Sequence, residues 1–150
     1  MDERLPWINL DSLKDSYIEL AKDNVVIVGK NPFNAHNYLR GAITYVYTTD
    51  ESFEETETVK RITGDPQTVL DTIKTNHPDQ DIIIAGGGTI FKSFYEMIDE
   101  WRVTFINESV VFNKDIDMTN VQYIWNNRRL LSSGVDNNKD FEVWHFKKNT

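Results

Sequence analysis

Cysteine is absent from the 150-residue chain, which excludes disulfides and thiolate metal sites and leaves the redox compartment unmarked. Histidine is scarce. His36, His77 and His145 are scattered without metal-ligand spacing, so each reads as a surface or satisfied histidine, and no metal is expected. Asp115 and Asp117 lack the spacing of a calcium loop. Positive charge is in deficit: 16 Lys and Arg face 24 Asp and Glu, a net charge of −8. That balance argues against a general nucleic-acid surface, because nothing here would neutralise a run of phosphates. No apolar run has the length of a membrane span, and the charged opening Met1 to Arg4 is not a signal peptide. The expectation is a soluble cytoplasmic domain with no membrane and no nucleic-acid partner. What remains is ample core material: 39% hydrophobic residues, with four Trp, six Tyr and eight Phe. A chain of this size suits one domain, residues 1–150.

The chain is organised around Asp81-Ile-Ile-Ile-Ala-Gly-Gly-Gly-Thr-Ile-Phe91. Ile82 to Ala85 carry no polar alternation, which reads as a short strand buried on both faces, the mark of a parallel sheet. Three glycines follow, then Ile90, Phe94, Met97 and Ile98 at helical spacing. Strand, glycines and helix can cradle a phosphate, since glycine lets backbone approach an anion and a helix N-terminus favours it. The pattern is not G-x-G-x-x-G, and a tight strand-to-helix turn is the equal alternative.

Earlier in the chain, Asn9 or Asp11 can cap a helix whose stripe is Leu13, Tyr17, Leu20 and Ala21. Val25 to Val28 is a second buried strand, stopping at Gly29-Lys30, and residues 33–41 read as irregular. Ala42 to Thr49 is β-branched and aromatic, a third strand ending in two hydroxyls. Asp50 to Glu57 reads as solvated acidic loop, and Val59 to Ile62 as a short edge strand. Asp65-Pro66 starts a helix that buries Val69, Leu70 and Ile73. After the glycine helix, residues 101–106 alternate as a strand that Ser109 to Phe112 could extend into a hairpin; Asn113 to Asn120 is polar loop. Leu130-Leu131 and Phe141 to Phe146 supply late strands. The order predicts an α/β fold: a mainly parallel central sheet with helices on both faces and antiparallel C-terminal strands.

In order and spacing, these pieces resemble the dihydrofolate reductase family from Met1 to Lys148. The resemblance rests on Leu5-Pro6-Trp7 before a helix, Val26-Ile-Val-Gly29-Lys30 ending a strand, and Thr48-Thr49 ending the next. Ile83-Ile-Ala-Gly-Gly-Gly-Thr-Ile-Phe91, Arg102-Val-Thr104 and Phe141-Glu-Val-Trp-His-Phe146 continue it. The resemblance implies NADPH-dependent reduction of dihydrofolate or a related pterin. It places the cofactor's pyrophosphate against Gly86, Gly87, Gly88, Thr89 and Ile90. Its ribose 2′-phosphate falls beside Gly29, Lys30, Thr48 and Thr49, where one lysine and two hydroxyls suit a dianion. It puts Trp7 over the active site and lets Thr104 bond both pterin and acid, although core packing and an ordinary strand threonine stay open for these two. Leu5, Arg40, Ala85 and Phe91 fall on the substrate side.

Several positions depart from the family. The acid that supports protonation of the pterin is expected five or six residues after the tryptophan, where this chain has Ser12 and Leu13. Asp11 is the nearest carboxylate, with helix capping as its other role. Ala42 stands where an arginine for the substrate's glutamate tail is expected, with Arg40 two residues away, and Phe91 replaces a tyrosine. The family's first strand, lying between the strand at 81–85 and that at 101–106, is expected to end before Met1. Its slot is then closed by direct pairing, by a homodimer or by a strand-supplying partner. Two alternatives stand beside the reductase: a catalytically silent nucleotide-binding or assembly module, and a riboflavin-pathway-type reductase.

Overall fold

The computed structural model describes residues 11–106, 128–134 and 141–148. They divide between two compact units, one spanning Leu10–Phe94 and the other built on Tyr95 onward. The expected hairpin at 109–112 and loop at 113–120 lie outside the described residues.

The first unit runs α1 (Asp11–Ala21), β1 (Val25–Gly29), α2 (Lys30–Ala35), β2 (Ile43–Tyr47), β3 (Val59–Ile62), α3 (Pro66–Asn76), β4 (Ile82–Gly86) and α4 (Gly88–Phe94). Its sheet is wholly parallel in the order β3-β2-β1-β4. β1 is its interior: all five residues are buried, as the unbroken Val25 to Val28 run requires of a strand with neighbours on both sides and cover on both faces. Alternation sorts these residues. Val26 and Val28 join Ala21 of α1, Phe33 of α2, Leu39, Val46 and Val59 in one cluster, against which Tyr17, Tyr38, Phe53, Ile83 and Ala85 pack. Tyr45 and Tyr47, in register with Ile27 and Gly29, serve the opposite face. There Tyr47 meets Phe94 of α4 edge-on at 5.6 Å, and Tyr45 meets His77, just past α3, at 5.9 Å. Helices therefore cover both faces, as the sequence pattern predicts.

Two expectations need correction. Residues 33–41 are not irregular throughout, because Lys30–Ala35 form α2. Pro32 hides this helix from a sequence reading, yet proline is tolerated in a first turn where its missing N–H has no intrahelical partner. β4 is not doubly buried either: Ile82 to Ala85 are half-buried, because β4 ends its sheet and among the described residues is hydrogen-bonded to β1 alone.

Gly41 enters β2 through a space with no room for a side chain. A Cβ there would stand 2.6 Å from the Asn24 carbonyl oxygen and 2.8 Å from Val26 Cγ2. That close approach lets Ala42 N donate to the same Asn24 carbonyl at 2.9 Å and fixes the start of the β1–β2 ladder.

The second unit contains a 3-10 turn (Tyr95–Met97), β5 (Glu100–Ile106), β6 (Arg128–Gly134) and β7 (Phe141–Lys148). The strands form an antiparallel sheet in the order β5-β7-β6. The late segments are antiparallel strands, as expected, but among the described residues they form a sheet of their own rather than additions to the parallel one.

Candidate functional site

In a parallel sheet every carboxyl end lies on the same rim, and ligands of open α/β folds gather there. Register brings three expected segments to that rim: Gly29 lies opposite Tyr47, and Val28 opposite Gly86. Gly29-Lys30, Thr48-Thr49 and the glycine turn are therefore neighbours in space.

Close packing locks two of these turns together. A Cβ on Gly29 would lie 3.2 Å from Ile90 Cγ1 and 3.6 Å from the Gly86 carbonyl oxygen, and one on Gly87 would lie 3.4 Å from Pro32 Cγ. Gly86 has φ +110, a conformation that L side chains rarely adopt, and the Gly86–Gly87 peptide is cis. The Phe91 ring closes over Gly86, and its amide donates to the Gly87 carbonyl at 3.0 Å. At Gly88, by contrast, an added Cβ would meet nothing within 4 Å among the described residues, which leaves its backbone free of side-chain cover from them. Ile90 is buried beneath the turn, whereas Thr89 is exposed and its carbonyl accepts from Ser93 Oγ at 3.0 Å.

The polar part of the rim is more elaborate than the sequence suggests. Lys30 Nζ donates to Asp50 Oδ2 at 3.0 Å, an ion pair about one-third exposed at each end, 37% and 33%. Asp50 N donates to Thr48 Oγ1 at 3.2 Å, while Thr48 N donates to the Ile62 carbonyl at 3.0 Å. Asp50 Oδ1 accepts from Ser52 N at 3.0 Å and from Ser52 Oγ at 2.6 Å. The Ser52 hydroxyl first, then Lys30 and the Ser52 amide, hold the Asp50 carboxyl down at about 2. Thr49 is exposed. Asp50 is the residue the sequence reading misses, having assigned it to solvated loop. Its signal was local: an Asp two residues before a Ser makes an Asx turn, and this one directly follows the paired threonines.

The other expected residues are placed by the elements that hold them. Arg40 is exposed, with its guanidinium 4.5 Å over the Phe33 ring. Ala42 is occupied in the β1–β2 ladder, and Ala85 packs half-buried against the core cluster. Asp11 opens α1, and Thr104 sits in β5 opposite Val143. Leu5 and Trp7 lie outside the described residues.

A lysine, hydroxyls and open glycine backbone stand together at the carboxyl rim of a parallel sheet, a donor set chemically suited to an anionic group, in an α/β fold. Residues 1–148 match the family described as Dihydrofolate reductase, and the chain belongs to that family. Among solved structures it is similar to a dihydrofolate reductase from Enterococcus faecalis complexed with NADP(H) and RAB-propyl. The TM-score is 0.69 and the identity 20%, over 98% of this chain and 86% of that one. At that identity the likeness speaks for the fold. No curated protein sequence matches the chain.

Proposed function

We propose that this chain is an NADPH-dependent reductase that converts dihydrofolate to tetrahydrofolate. The observation that carries the reading is the convergence of Lys30, Thr48 and the glycine turn on one rim in a member of this family. When bound, NADPH supplies the hydride. Lys30 and the hydroxyls of Thr48 and Thr49 hold its 2′-phosphate beside Gly29, and backbone from Gly86 to Ile90 faces its pyrophosphate. Phe91, Ala85, Leu5 and Arg40 belong to the substrate side. Asp11 supports protonation of the pterin nitrogen that makes the C=N bond accept a hydride, while Trp7 and Thr104 order the pterin.

A nucleotide titration followed by tryptophan fluorescence, and then a dihydrofolate-dependent assay of NADPH oxidation, test this reading. Expected are tighter binding of NADPH than of NADH and turnover that falls steeply in Asp11→Asn at neutral pH without loss of cofactor binding. Equal affinity for the two nucleotides would overturn the cofactor assignment. One observation favours a second reading, that of a catalytically silent nucleotide-binding relative: Arg40 is engaged on Phe33, and Ala42 stands at the arginine's place. Nucleotide binding without turnover would select it.

A further inference from the structure

A subsite for a dianion is ordinarily lined by cations and donors, yet here an anion is built into it. Asp50 is 3.0 Å from the lysine assigned to the 2′-phosphate and is bonded through its amide to the threonine assigned to the same group. We infer that Asp50 sets how strongly this chain discriminates between NADPH and NADH, holding its preference for the 2′-phosphate below what Lys30, Thr48 and Thr49 would give alone. The inference rests on the cofactor reading proposed above.

Three features make Asp50 more than a passing surface acid. Its second carboxylate oxygen accepts both the amide and the hydroxyl of Ser52, so the side chain cannot swing away from Lys30 without breaking that turn. Those bonds also favour the carboxylate over the acid, with the Ser52 hydroxyl first and Lys30 next, so the group is an anion throughout the neutral range. The ion pair is reachable from solvent at both ends, so an incoming phosphate meets Lys30 with its counter-anion in place rather than a sealed contact. A phosphate approaching Lys30 must then share the cation with a fixed carboxylate a few ångströms away, and the two anions repel. The 2′-hydroxyl of NADH carries no charge and can donate to that carboxylate, so the same residue tolerates the unphosphorylated ribose.

Asp50→Asn removes the charge while keeping an oxygen that can accept from Ser52. The full chain and this variant are titrated with 2′,5′-ADP, 5′-AMP, NADPH and NADH at two salt concentrations. The variant is expected to bind 2′,5′-ADP and NADPH roughly three- to tenfold more tightly than the parent, with the gain shrinking at high salt. Its affinity for 5′-AMP should stay within about twofold, because that ligand lacks the 2′-phosphate and sets no charge against Asp50. If Asp50→Asn melts before the parent, Asp50→Ser is judged by the same ratios. Binding of 2′,5′-ADP that is unchanged or weakened in a folded variant overturns the role of Asp50 and leaves the cofactor reading standing. Failure of parent and variant alike to bind any of the four nucleotides overturns both.

Discussion

Lys30 and Tyr17 carry opposite kinds of constraint, one electrostatic and reachable, the other buried and unmatched. Lys30 serves Asp50 now and a phosphate in the proposed complex, so Lys30→Ala should cost about 1–3 kcal/mol of NADPH affinity and far less of NADH affinity. A calorimetric titration of both nucleotides checks it, and equal losses would move the 2′-phosphate elsewhere. The Tyr17 hydroxyl is buried with no hydrogen-bond partner among the described residues. Burial first, then the neighbouring Tyr38, raises its pKa above the ordinary 10.0. The raised value means that the fold prefers the protonated ring. This contribution to stability is complete below pH 10.0 and is lost as pH climbs toward the folded value, because the unfolded chain releases the proton first. Tyr17→Phe should therefore raise stability by about 1 kcal/mol at neutral pH and flatten the decline above pH 10.0. Melting curves across that range decide it, and a destabilised variant with an unchanged alkaline limb would mean that the hydroxyl has found a partner.

At the scale of elements, sequence and structure agree wherever local chemistry is strong. Asp65 caps α3: its carboxylate accepts from Thr68 N at 3.1 Å and from Thr68 Oγ1 at 3.2 Å, with Pro66 in the first turn. Asp65→Ala should cost about 1 kcal/mol in urea unfolding, and no change in midpoint would mean that the helix start is held by packing instead. β1, β2, β3 and α3 were legible because hydrophobic runs, β-branching and a proline after an acid each act within a few residues. α2 was hidden by Pro32, and the half-burial of β4 by strand order, which no local pattern encodes. The site was legible as three separate segments, Gly29-Lys30, Thr48-Thr49 and the triple glycine. Asp50 was not, because its importance comes from the residue that register sets across from its strand. Gly41 shows the same limit, since nothing local reveals that the Asn24 carbonyl fills its side-chain space. Gly41→Ala should cost about 1–3 kcal/mol through overpacking, read from the midpoint of thermal unfolding, and a neutral result would require the approach of Gly41 to Asn24 to be more yielding than the neighbouring hydrogen bond at Ala42 implies.

At the scale of the molecule, stability is unevenly spread through the parallel sheet. β1 has hydrogen-bonded neighbours on both sides and no exposed side chain, whereas among the described residues β3 and β4 end the sheet. Amide hydrogen exchange should be slowest in Val25 to Val28 and faster in both β3 and β4, since local opening releases sheet ends before interiors. Exchange in β4 as slow as in β1 would mean that its outer edge is also paired.

The strand order also fixes a timetable. β1 pairs with β2 soon after both have been made, but its other neighbour lies far along the chain: Asn24 and Asp81, at the start of that second pairing, are 57 residues apart. A polypeptide leaves the ribosome from its N-terminus, and distant pairings are slow because a long loop must close first. Gly86 to Gly88 therefore leave the ribosome after the lysine and threonines of the rim, on the strand of this sheet that is made last among the described ones. Until β4 docks, one flank of β1 is an open template for other nascent chains, so the segment that completes the carboxyl rim is also the one that covers the interior strand during synthesis.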